Sequence, residues 1–138
     1  MTIMSNVILE DASNCFACGP NNPIGLKINY SLDDKGRCIG YFKANENHVG
    51  YEDTVHGGII FTTLDDVMAN VLYLKKIKAL TAKCDIRYRL PLQTKQKIKL
   101  IGWIVSEKRR LITLKAEAIL CSNLDIIADC EARFMLVD

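Results

Sequence analysis

A chain of 138 residues with 49% hydrophobic and 25% charged side chains is the size of one compact domain and has the composition of a folded protein rather than a disordered one. A formal net charge of +2 is too small to make nucleic acid or an anionic membrane surface the main partner. No apolar run approaches the roughly 18 residues of a transmembrane helix, and residues 1–13 lack the basic start and apolar middle of a signal peptide. The expectation is a cytoplasmic protein with no membrane partner, one domain over residues 1–138 and an N-terminal extension at 1–14.

Residues 1–22 end in Cys-Gly-Pro-Asn-Asn-Pro, a turn-rich approach with little periodicity. Six cysteines stand at 15, 18, 38, 84, 121 and 130; without an export signal they read as reduced thiols. Cys84, Cys121 and Cys130 fall in apolar, strand-like runs and read as small core residues. Cys15-Phe16-Ala17-Cys18 has no second CxxC and no nearby His pair, which makes it a weak zinc signal, and it does not sit between a strand and a helix as a thioredoxin motif would. With two histidines in the chain, no metal site is expected.

From Gly25 the pattern alternates: Leu26, Ile28, Tyr30 and Leu32 share one face, which predicts a half-buried strand. Asp33-Asp34-Lys35-Gly36 is a turn, and residues 37–44 return as the second strand of a hairpin. Residues 45–54 are polar and irregular, with Asn47, His48, Gly50 and Tyr51. From Gly58 to about Lys76 there is no Pro or further Gly, and Ile60, Leu64, Val67, Met68, Val71, Leu72 and Leu74 recur near helical spacing, predicting one long helix. His56, Gly57 and Gly58 form its start. Adjacent glycines are poor helix formers, and their use here is close backbone approach, with unpaired N–H groups beside the positive end of the helix dipole. Such a place can hold a developing negative charge. Asp65 and Asp66 lie two turns further in among Leu64, Val67 and Met68, so at least one of them is expected to be buried against a polar group or to face a cleft.

After the helix, residues 80–90 alternate again, with Ala82, Cys84, Ile86, Tyr88 and Leu90 on one side and Thr81, Lys83, Asp85, Arg87 and Arg89 on the other, and Pro91 closes the strand. Residues 96–107 and 111–121 are two more strands around Lys108-Arg109-Arg110, and residues 126–137 are the last. Consecutive strands of this kind make an antiparallel sheet, because parallel pairs need a crossover at each step. With a single helix to cover it, the sheet wraps that helix and leaves a face and its edges for a second copy, so a homodimer at least is expected.

Three stretches resemble the hotdog-fold acyl-CoA thioesterases, in particular their phenylacetate-pathway (PaaI-like) and thioesterase superfamily member groups. They are Cys15 to Leu26, the segment Gly-Tyr-x-x-x-Val-His-Gly-Gly with Leu-Asp-Asp at residues 50–66, and Leu-Thr-Ala-x-x-x-Ile-x-Tyr-x-x-Pro at residues 80–91. The resemblance covers about residues 15–137. It implies an α+β hotdog fold, an antiparallel sheet of five to six strands wrapped around one long central helix, assembled as a homodimer or a dimer of dimers. It also implies hydrolysis of a small to medium acyl- or aryl-acyl-CoA to the acid and coenzyme A, with no cofactor beyond the coenzyme A of the substrate.

Carried over residue by residue, the resemblance makes Asp65 the nucleophile or general base, and gives the Gly57 N–H to the thioester carbonyl. Thr81 helps position the attacking water and His56 orients the loop or the thioester. Many relatives have an Asn six residues before the motif His, where this chain has Gly50; its polarising role is then absent or taken by Asn47 or His48. Gly58, Gly50, His48 and Asn47 are expected around the substrate. Arg109 and Arg110, or Arg87 and Arg89, are candidates for the coenzyme A phosphates. A non-catalytic acyl-CoA binder on the same scaffold is the alternative, and the missing Asn points toward it. In this arrangement the helix start and the Asp face of one subunit meet a sheet edge carrying Thr81 of the other.

Overall fold

The computed structural model describes residues 10–137; most of the expected N-terminal extension, residues 1–9, lies outside them. In chain order the elements are β1 (Tyr30–Leu32), β2 (Cys38–Lys43), a 3-10 turn (Glu46–His48), β3 (Val49–Tyr51), β4 (Thr54–Val55), α1 (Gly57–Leu74), β5 (Ala79–Tyr88), β6 (Lys97–Lys108), β7 (Leu111–Leu120) and β8 (Ile126–Leu136). Six strands form one antiparallel sheet in the order β1-β2-β6-β7-β8-β5, and β3 and β4 pair separately as a short ribbon ahead of the helix. Chain order and sheet order differ only in β5, which is placed beyond β8 after the helix crosses the sheet.

The helix lies on one face of the sheet. Leu64, Val67, Met68, Val71 and Leu72 are fully or almost fully buried against Leu100, Leu114, Ala116, Ile127, Ala132 and Phe134. Gly102 of β6 makes the close approach possible: a Cβ there would stand 3.3 Å from the Val67 carbonyl oxygen and 3.4 Å from the Met68 nitrogen. The helix ends in a Schellman arrangement, with Ile77 N–H donating to the Leu72 carbonyl at 2.9 Å and Lys76 N–H to the Tyr73 carbonyl at 3.0 Å. Lys76 holds the left-handed position at φ 61° that glycine usually takes.

Four sequence expectations need correction. Residues 26–29 are not part of the first strand: Leu26 and Ile28 donate their N–H groups to the carbonyls of Phe16 and Ala17 at 2.8 and 3.0 Å, so this stretch binds the lead-in segment instead of the sheet. The polar stretch 45–54 is ordered by its own caps, Asn47 N–H donating to the Asn45 side chain and Asn45 N–H to His48 Nδ1 at 3.0 Å. Cys121 is exposed, while Cys130 is buried and Cys84 half-buried.

The fourth correction matters most. Strict alternation sets Thr81 on the side of Lys83 and Asp85, but β5 pairs with β8 through a bulge: Thr81 opposes Phe134, Lys83 opposes Arg133 and Cys84 opposes Ala132. The extra residue, Ala82, turns Thr81 to the face shared by Cys84 and Ile86, toward the helix.

Candidate functional site

At the helix start, His56 is the N-cap, in extended backbone at φ −60° and ψ 133°. Its Nδ1 accepts the Gly58 N–H at 2.8 Å, so the neutral ring carries its proton on Nε2. Gly58 has no room for a side chain without moving that cap, since a Cβ would stand 3.0 Å from His56 Nδ1. The Gly57 N–H has no partner among the described residues, as expected of a first-turn amide. The far end of β5 clips this turn in place: Tyr88 Oη donates to the Gly57 carbonyl at 2.7 Å.

The ribbon and the preceding 3-10 turn pack on the same spot. The His56 N–H donates to the His48 carbonyl at 2.8 Å, the His48 ring lies against Phe42 at 5.5 Å between centroids, and Gly50 lies directly on His56, where a Cβ would be 3.4 Å from its Cα. An open groove of about 310 Å³ at the helix mouth is lined by Asn47, His48, Val49, His56, Gly58 and Ile59. The structure therefore brings together Asn47, His48, Gly50, His56, Gly57 and Gly58.

Two turns along the helix, Asp65 is half-buried and accepts the Thr81 hydroxyl at 2.7 Å. Burial holds its pKa above the ordinary carboxylate value, and the Thr81 hydrogen bond opposes that rise in part. Both residues belong to one chain, which corrects the expectation that Thr81 would come from the other subunit; the bulge at Ala82 allows the contact. Asp65 makes no ion pair among the described residues. Eight residues of helix separate Gly57 from Asp65, about 12 Å of rise. Within one chain the amide and the carboxylate cannot address the same carbonyl group.

Asp66, about 100° further round the helix, faces the other way, toward the lead-in segment. It is 9% exposed, and its Oδ1 lies 3.7 Å from both Cys15 Sγ and Cys18 Sγ. Burial raises its pKa to about 6, against the stabilising influence of Cys18, Tyr30 and Cys15. The buried Tyr30 hydroxyl faces the same carboxylate, yet neither it nor Asp66 Oδ2 has a hydrogen bond of good geometry. Sequence reasoning named the acidic pair but not these partners.

The basic residues stand apart from this. Arg89 pairs with Asp129 and Lys115 with Glu131 on the outer sheet face, where they border an open groove with Trp103. Arg109 is exposed at the β6–β7 turn with φ 58°, and Arg110 donates to the Leu136 carbonyl at 3.1 Å. Leu111 opposes Met135, and Met135 opposes Leu80, so the turn sits two strands from the start of β5, nearer Thr81 than the helix mouth.

A long helix laid across one antiparallel sheet in the strand order β1-β2-β6-β7-β8-β5 is the hotdog fold. Solved structures share it. The chain is similar to a thioesterase superfamily protein (TM-score 0.83, 21% identity, covering 94% of this chain and 70% of that one) and to zebrafish thioesterase superfamily member 2 (TM-score 0.76, 16% identity, 92% and 94%). It is also similar to a Streptococcus mutans protein solved bound to acetyl-CoA (TM-score 0.73, 18% identity, 80% and 88%). No protein-family model matches the chain, and no curated protein does. At these identities the likeness establishes the fold, the one the sequence motifs resemble.

Proposed function

We propose that the protein is an acyl-CoA thioester hydrolase whose reacting groups are Asp65, Thr81 and Gly57. The observation that carries this is the Asp65 carboxylate: half-buried, free of any ion pair among the described residues, shifted toward neutrality by burial, and oriented by one hydroxyl at 2.7 Å. A carboxylate partly removed from water is a stronger base and nucleophile than a solvated one. Thr81 uses its hydrogen on Asp65 and keeps its lone pairs for a water. In the base-activated version Asp65 takes a proton from that water and the oxygen attacks the thioester carbon. The carbon–sulfur bond then breaks, and coenzyme A thiolate leaves to take up the proton, giving the acid. In the covalent version Asp65 attacks the thioester carbon first and coenzyme A thiolate leaves; water then cleaves the anhydride to the acid and the free carboxylate, and its proton goes to the thiolate. Either way the carbonyl oxygen becomes an oxyanion, for which the unpartnered Gly57 N–H at the positive helix end is a pre-aimed donor.

The 12 Å of helix between these groups makes the site one of two chains. β5 is a ten-residue strand with one edge unpaired among the described residues, and an edge that long is a ready template for a second copy. In a homodimer joined there, Asp65 and Thr81 of one protomer work with the helix mouth of its partner. The acetyl-CoA bound to the Streptococcus mutans protein supports a coenzyme A thioester as the substrate class, and the exposed Arg109 turn is the place for its phosphates.

One observation favours the second reading, a binder without turnover. The Gly58 amide is already occupied by His56 and Gly50 offers no side chain, so the oxyanion has fewer donors than the helix start first offers. Thiol release from a panel of acyl-CoAs separates the two. Asp65→Asn is expected to lower kcat about 10²- to 10⁴-fold with binding retained; tight binding with no turnover on any member of the panel would leave only the binder.

A further inference from the structure

We infer that Cys15, Cys18 and Asp66 form a binding site for a thiophilic divalent cation of the zinc class, which fastens the lead-in segment to the central helix. The cluster plays no part in the hydrolytic reading, and its test does not depend on turnover.

Geometry carries the inference. The two sulfurs and a carboxylate oxygen all lie within 4.8 Å of one another. Asp66 Oδ1 is 3.7 Å from each sulfur. A tetrahedral ion with metal–sulfur bonds near 2.3 Å and a metal–oxygen bond near 2.1 Å sets each sulfur–oxygen edge at about 3.6 Å. Both sulfur–oxygen edges are therefore already spaced for one ion, and the two sulfurs lie within 4.8 Å of each other. Two thiolates with a carboxylate suit zinc and its neighbours, and exclude magnesium and calcium, which take oxygen.

The segment around the sulfurs is built as a knuckle. The Cys18 N–H donates to Cys15 Sγ at 3.5 Å, and the Gly19 N–H turns back to the Cys15 carbonyl at 2.8 Å. A Cβ on Gly19 would stand 2.3 Å from the Cys15 nitrogen, so only glycine closes this turn. Asn70 Nδ2 donates to the Asp66 carbonyl at 2.9 Å and faces Cys18 Sγ at 3.8 Å. The same side-chain amide thus ties two of the three ligands together.

A second observation points to a ligand independently. Asp66 Oδ1 accepts the two thiols, whereas the buried Oδ2, faced by the Tyr30 hydroxyl, has no hydrogen bond of good geometry among the described residues, and none of the ion pairs among them includes Asp66. Buried carboxylates are ordinarily paired with a cation or coordinate one. An open groove of about 330 Å³ on this side of the helix is lined in part by Cys18, Tyr30, Asn70 and Tyr73.

The test is cobalt(II) titration of the full-length protein, purified and reduced under metal-free conditions, with zinc competition. The expected result is about one ion per chain, a thiolate-to-cobalt charge-transfer band in the near ultraviolet and tetrahedral d–d bands in the visible, all displaced by zinc. Cys15→Ser or Cys18→Ser is expected to weaken the charge-transfer band, and the double variant to abolish it. Asp66→Asn keeps the band but loses affinity at least tenfold, and Cys121→Ser, exposed and outside the cluster, changes nothing. Wild-type protein that shows no thiolate band overturns the inference without any variant having to fold. A band that survives the double cysteine variant overturns it equally.

Discussion

Asp65 and Asp66 are neighbours in sequence with opposite surroundings, and a helix separates them by rotation alone. Asp65 receives a hydroxyl from β5; Asp66 is turned onto two sulfurs and the Tyr30 hydroxyl. The Thr81 hydroxyl orients the Asp65 carboxylate, and a hydrogen bond to a charged acceptor stabilises by about 1.5 to 3 kcal/mol. Thr81→Val keeps the shape and removes the donor. It is expected to lower kcat/KM about tenfold to a hundredfold on acyl-CoA, while Thr81→Ser recovers most of it; equal losses in both variants would mean that the methyl group, not the hydroxyl, matters. His48 offers a pH test at the helix mouth. Burial lowers its pKa from the ordinary value of 6.5, opposed in part by Glu46, and in the folded state its Nδ1 accepts the Asn45 N–H. A group whose folded pKa is depressed in this way favours the fold above its unfolded pKa, and that contribution is lost as pH falls through the folded value. The His48 ring protons in an NMR titration should therefore turn over below pH 6.5, and a midpoint above it would contradict the capping role.

At the scale of elements, the helix and β6 are in near backbone contact, and the glycine that permits it is specific. Gly102→Ala forces a methyl group to 3.3 Å from the Val67 carbonyl oxygen, where the neighbour is backbone on a buried helix and cannot swing aside. Overpacking of this kind costs about 1 to 3 kcal/mol, to be read as a lower midpoint of urea unfolding with an unchanged slope. An unchanged midpoint would mean that the helix rides further from the sheet. The helix itself was legible in the sequence, because apolar spacing from Ile60 to Leu74 and the paired glycines before it are local signals. The six-stranded sheet was legible through alternation and turns. What local patterns could not carry were the places where tertiary contacts overrule them. Alternation assigns Thr81 to the polar side, and only the register against β8 reveals the bulge that turns it inward. Leu26 and Ile28 alternate like strand residues but spend their amides on Phe16 and Ala17. The CxxC looked isolated because its third donor, Asp66, follows Cys18 by 48 positions, on an element whose facing could not be read from the residues alone. The family resemblance, more than any pattern, singled out Asp65 and Thr81.

For the whole molecule the decisive length is the roughly 12 Å of helix rise between the Gly57 amide and the Asp65 carboxylate. If one carbonyl meets both, they belong to different protomers, and two inactive variants can repair each other. Gly57→Pro removes the amide: proline is well suited to the first helical position, His56 already has the extended backbone, φ −60° and ψ 133°, that a residue before proline requires, and the added Cβ meets the Tyr88 ring at 3.4 Å, ordinary contact. Alone it should lower kcat about 10²- to 10³-fold, the usual effect of losing one oxyanion donor, and Asp65→Asn alone should be at least as severe. When the two variants are unfolded together and refolded as a mixture, half of the dimers are hybrids. Each hybrid has one site with both lesions and one with none, so a composite site returns about one quarter of wild-type activity. A site held within one chain returns nothing, since every chain then carries a lesion in its only site. Activity in the mixture that stays at the level of the separate variants would therefore refute the two-chain site while leaving the chemistry of Asp65 to be judged on its own.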